Sequence, residues 1–151
     1  TSLAQQGIAA EQVLVTPTPF NTLLWRVVAL SGPSYYEGFH ALLDAPGPMR
    51  FDRFDRGRHL DAELPDHAGA QRLRAFSHGF YKWHEEGSRL VISDLRMGQE
   101  PNYVFAFAVA ERASAPQPLP QSVAAGGRAD IQRALAWLWP RLWGQPLPPP
   151  R

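Results

Sequence analysis

Five side chains have types and spacings that can do chemistry: Arg26, His40, Asp94, Arg96 and Glu100. In Tyr35 to Asp44 a period-2 reading puts His40 and Asp44 on one strand face, where a carboxylate can orient an imidazole for proton transfer or metal ligation. In Arg89 to Met97 the same reading puts Leu90, Ile92, Asp94 and Arg96 on one face, which turns from apolar to ionic along its length. Asp94, Arg96 and Glu100 therefore lie where an apolar strand gives way to a loop, placed either to meet a ligand or to pair internally. Arg26 stands in a strand among apolar neighbours.

Other chemistry finds less support. The chain has no cysteine, which excludes disulfides, thiolate zinc sites and a cysteine nucleophile. Its five histidines show neither H-x-x-x-H nor H-E-x-x-H spacing, so no metal site is expected within these residues. Ser93 sits inside a strand, away from any sharp nucleophile elbow. Gly126-Gly127 reads as linker, and Arg50, Arg53, Arg56 and Arg58 interleave with Asp52 and Asp55 as a solvated segment. Trp25, Trp83, Tyr36 and Tyr81 read as strand packing.

The elements that must position these residues follow from apolar alternation and turn chemistry. The 151 residues, 44% hydrophobic, suit one soluble domain over 13–143, with 1–12 as the end of a helix or linker and 144–151 as an extended, solvated Pro-rich tail. Strands are expected at Val13 to Val15, at Thr22 to Leu30 and, after the turn Ser31-Gly-Pro-Ser34, at Tyr35 to Asp44. Phe51 to Arg56 is a loop or edge strand. Asp66 caps a helix over about 67–78. Phe80 to Glu85 and the runs Arg89 to Met97 and Tyr103 to Ala110 make a second meander, with Val104, Ala106, Ala108 and Ala110 forming a small-residue face. Pro116 to Pro120 is read as linker, and a last helix starts after Asp130, with Pro140 kinking or ending it. The fold class is α+β: antiparallel β-meanders of about six strands with two to three packed helices.

The formal net charge of +1, with both signs scattered, gives no field to gather nucleic acid, and none is expected as a partner. No run approaches the roughly 18 apolar residues of a spanning helix.

The series Pro17-Thr-Pro-Phe-Asn21, Leu24-Trp-Arg-Val-Val28, Tyr36-x-Gly38, Phe76-Ser-His-Gly-Phe-Tyr81, Ser93-Asp-Leu-Arg-Met-Gly98 and Glu100-Pro101 resembles the C-terminal soluble domain of the YdjM-like family. These are inner-membrane-associated metal-dependent hydrolases of bacteria, also labelled LexA-binding. The resemblance spans about residues 13 to 111. It implies a parent protein in the bacterial inner membrane whose metal site lies in N-terminal membrane helices absent here, so that Thr1 is a cut point. It supplies no catalytic residue to this numbering and no cofactor to this fragment; a divalent metal belongs to the full-length protein. The expectation is a hydrolase's accessory domain, inactive alone. The alternative is a non-catalytic module that binds a small molecule or a protein partner such as a transcriptional repressor.

Overall fold

The computed structural model describes residues 1–125 and 130–151. Its contacts divide into two compact units, Thr1–Phe54 with Ala129–Arg151, and Asp55–Arg128.

The first unit holds α1 (Ser2–Gln5), β1 (Gln12–Pro17), β2 (Leu24–Ser31), β3 (Ser34–Ala41), β4 (Phe51–Asp55) and, from the far end of the chain, α4 (Ile131–Leu142). The four strands form one antiparallel sheet in chain order. Asn21 organises the loop between β1 and β2: its side chain donates to Thr18 Oγ1 at 2.7 Å and accepts from the Leu24 amide at 2.8 Å. Gly32, at φ +53°, opens the two-residue turn that sets Ser31 against Ser34. α4 starts at Asp130, whose side chain caps the Arg133 amide, and lays Trp137, Leu138 and Leu142 on Leu24, Phe39 and Ala41. Pro140 lies in its last turn, two residues before the end.

The second unit holds α2 (His59–Glu63), α3 (Ala68–Phe76), β5 (Tyr81–Glu86), β6 (Arg89–Asp94), the short pair β7 (Gly98–Gln99) and β8 (Asn102–Tyr103), β9 (Ala106–Glu111) and β10 (Gln117–Ala124). Its main sheet is antiparallel in the order β10-β9-β6-β5. Both faces of β6 are covered. Leu90 and Ile92 join Leu60, Leu64, Ala70 and Leu73 of the helical layer, while Val91 packs with Ala106, Ala108 and Leu119. That two-sided burial is why Leu90 to Asp94 are all buried.

The α+β class and the antiparallel meanders hold, but ten strands are present among the described residues where about six were expected. Pro116 to Pro120, read as linker, runs into an edge strand, Gln117–Ala124; its prolines fit there because an edge leaves half the amides without a ladder partner. Phe51–Asp55 is the edge strand of the first sheet. The cap of α3 is His67, whose Nδ1 accepts from the Ala70 amide, and Asp66 is not the cap. In β9 the register passes from Ala110 opposite Leu90 to Ala108 opposite Val91, leaving Val109 as an extra residue. This bulge turns Ala110 onto the helix-facing side with Phe107 and Val109, away from Ala106 and Ala108. Gly126 and Gly127 lie outside the described residues.

Candidate functional site

The five candidate residues fall into two groups, one in each unit. In the first unit a cleft of about 390 Å³ is lined by Glu37, His40, Asp44, Asp52 and Arg141, with Pro146 to Pro149 on another wall. Its floor is β3. Gly38 is suited to that place because a Cβ there would come within 2.7 Å of the Arg50 carbonyl oxygen and 2.9 Å of the Phe51 ring.

His40 and Asp44 do come together, but by a route different from a shared strand face. β3 ends at Ala41, and the turn after it brings Asp44 back so that its Oδ2 accepts from the Ala41 amide at 2.9 Å. His40 Nδ1 then lies 3.4 Å from the same oxygen, an electrostatic contact at the rim of the cleft. Both Asp44 oxygens also accept from Arg141 of α4, Nη2 to Oδ2 at 2.6 Å, and Arg141 Nη2 donates to the Phe39 carbonyl at 3.0 Å. Burial pushes the Asp44 carboxyl up, and the Arg141 and Ala41 hydrogen bonds outweigh it, so the group is held below its ordinary 3.8.

Arg26 is buried in β2 and donates from Nε to Glu37 Oε2 at 2.7 Å. It meets the cleft through that carboxylate, itself fully buried, which also takes Arg151 as a partner. The isolated arginine in an apolar strand was the signal for this pair. A buried guanidinium demands a carboxylate, and Glu37 is the acid on the partnering strand β3.

In the second unit Asp94 and Arg96 pair with each other. Arg96 donates from Nη2 to Oδ2 at 2.8 Å and from Nε to Oδ1 at 3.1 Å, and its own amide donates to Oδ1 at 2.9 Å. These hydrogen bonds hold the Arg96 guanidinium above its ordinary range, against a smaller opposing effect of burial. Its plane lies 4.9 Å from the Phe76 ring centre. Glu100, next to the cis Glu100–Pro101 bond, pairs with Lys82, and the Lys82 ammonium lies 5.2 Å from the Tyr103 ring centre. Lys82 is the single lysine of the chain, and it is buried. Ser93, opposite Lys82 in the β5–β6 register, has a buried hydroxyl with no hydrogen-bond partner among the described residues.

Two further polar centres escaped the sequence reading. Asp61 of α2 accepts from the Tyr81 hydroxyl at 2.6 Å, Trp83 Nε1 at 2.9 Å and Arg74 Nη1 at 3.0 Å. Burial pushes it up, and these three bonds hold it below 3.8. Tyr81 moves upward from 10.0, chiefly through burial and then through its bond to Asp61. Arg56, assigned to a solvated segment, is buried and donates to the carbonyls of Tyr81 at 3.1 Å and Gly79 at 2.7 Å. The periodicity of Phe51 to Arg56 gave it no apolar context, since the residues around it are charged.

Among the described residues no group of three or more histidine, aspartate or glutamate side chains is placed to hold a metal ion, and no helix is long and apolar enough to cross a membrane. No family model, curated protein or solved structure matches this chain.

Proposed function

We propose that this chain is the water-facing C-terminal part of a membrane-bound, metal-dependent hydrolase of the YdjM-like kind, and that its own role is binding. The ordered motif series from Pro17 to Pro101 supports the parentage, and with it an inner-membrane location and a divalent metal held by the N-terminal region. The binding role rests on one observation. Asp94, Arg96 and Glu100 are each taken up by a side chain of their own unit, which makes them a scaffold for the loop after β6. The half-exposed His40, beside Asp44 and Arg141, faces a cleft large enough for a small molecule. The coding sequence upstream of Thr1 tests the parentage. Several hydrophobic spans carrying histidines and acids are expected there, and a coding region with no such span contradicts it.

The second reading is a module that recruits a protein such as a transcriptional repressor, and one surface favours it. Ile131, Leu135 and Trp139 of α4 and Trp143, which follows its last residue, lie at four-residue spacing and are all exposed, with the two indole rings edge to face at 6.0 Å. A pull-down with the purified chain separates the two readings. A saturable protein partner lost on replacing Trp139 and Trp143 by alanine supports recruitment; a ligand-induced shift in melting temperature that depends on His40 supports the cleft.

A further inference from the structure

Residues 144–151 are largely exposed, as expected of an extended tail, but they also make specific contacts with their own unit. After Gly144, at φ +79°, the chain runs Gln145-Pro-Leu-Pro-Pro-Pro-Arg151. Four prolines fix φ along most of this stretch and remove four amide donors; the Leu147 amide donates to the Gln145 carbonyl at 2.8 Å, and the chain beyond it carries no helix or strand hydrogen bonding. Trp137 Nε1 donates to the Leu147 carbonyl at 3.2 Å. Five residues on from proline 146, Arg151 donates from Nη2 to Asp52 Oδ2 at 2.7 Å and pairs through Nη1 with Glu37. Its guanidinium also lies 4.8 Å from the Phe54 ring centre.

These are the elements that recognise a proline-rich strand by its backbone and a nearby arginine by its charge: an indole donor, a pair of carboxylates and an aromatic face. They are pre-set. Glu37 is buried and held by Arg26, while Trp137 is buried edge to face with Phe39 at 4.9 Å. The prolines also leave the cleft of about 390 Å³ open beside them, which is space for side chains larger than their own.

We propose that this groove is a receptor for extended proline-rich segments bearing an arginine, and that Pro146 to Arg151 occupies it in cis as a self-ligand that a partner protein's segment displaces. The inference is independent of the membrane parentage, so failure of either leaves the other standing. A tethered segment acts at an effective concentration in the millimolar range. A free peptide therefore binds well only when the self-ligand is weakened.

The test is fluorescence anisotropy of a labelled Pro-Leu-Pro-Pro-Pro-Arg peptide against the full chain, its Arg151→Ala variant and its Asp52→Asn variant. Arg151→Ala should bind the peptide at least about tenfold more tightly than the unmodified chain, as expected when a competing bound form is lost. On release of the tail the Trp137 indole N–H resonance should move, and return on peptide addition. Adding Asp52→Asn to Arg151→Ala should weaken peptide binding, because the carboxylate that receives the peptide arginine is gone. A peptide with alanine in place of arginine should bind worst of all. Equal affinity of the unmodified and Arg151→Ala chains overturns the proposal, as does equal binding of the alanine peptide. If Arg151→Ala does not fold, the Trp137 indole resonance of the Asp52→Asn single variant decides: a position displaced from that of the unmodified chain supports self-occupancy, and an unchanged position overturns it.

Discussion

Arg141 and Asp44, which lie 97 positions apart in the sequence, form a two-pronged ion pair that fastens α4 to the turn at the end of β3. Arg141 also donates to the Phe39 carbonyl, so one guanidinium ties the helix to both the strand and its turn. The turn in turn places His40. The rim of the cleft is thus positioned by a contact that local sequence pattern cannot contain.

Removing one partner leaves the other charge poorly solvated, which costs more than the pair contributes. Arg141→Ala should therefore destabilise the chain by about 3 kcal/mol, measured by urea unfolding. Replacing Asp44 by asparagine in the same background should add little, since the two residues act as one unit.

The pH dependence follows from Asp44 and Asp61, whose carboxyls are both held below 3.8 in the folded chain. A depressed folded pKa contributes stability that is complete above the unfolded value and is lost as pH falls through the folded one. Stability should be level between about pH 7 and pH 5 and fall steadily below about pH 4. Thermal unfolding across that range checks it. The Arg141→Ala variant should show a shallower acid limb, because the Asp44 carboxyl then lacks its main stabilising partner.

Asp61 satisfies three donors at once, from β5 and α3. Asp61→Ala should cost about 3 kcal/mol, and Tyr81→Phe about 1 kcal/mol, as the difference between stranding several donors and removing one hydroxyl. Trp83 fluorescence during denaturation reports both.

If the Lys82–Glu100 pair is scaffold, removing it whole is tolerated and removing half is not. Glu100→Gln alone should lose about 3 kcal/mol, while Lys82→Met combined with Glu100→Leu should lose clearly less. A double-mutant cycle measured by chemical denaturation gives the coupling directly.

Much of the fold was readable from the chain. The alternation in Thr22 to Leu30 and in Arg89 to Asp94, and the turn residues at Gly32 and Gly87, gave the two hairpins, because period and turn chemistry are local properties. What was missed is mostly short, at an edge or tertiary. α2 has five residues, too few for a helical period, and β10 carries prolines that read as linker because nothing local marks it as an edge strand. The bulge at Val109 breaks the alternation that the sequence itself keeps. At the candidate site, the nearness of Asp94 to Arg96 was legible from spacing, whereas His40 and Asp44 meet through the turn after β3 and not through the strand spacing that suggested them. The partners across the fold, Lys82 for Glu100 and Arg141 for Asp44, were not legible. Pairing across 18 or 97 positions is fixed by packing and leaves no periodic trace.

The claim that this chain binds rather than catalyses is tested most directly by assaying the purified chain for ester and phosphodiester hydrolysis with added divalent metal. The account predicts no metal-dependent turnover above the uncatalysed rate. Turnover that disappears when Asp94 or His40 is replaced by alanine, in variants that still melt cooperatively, would contradict it.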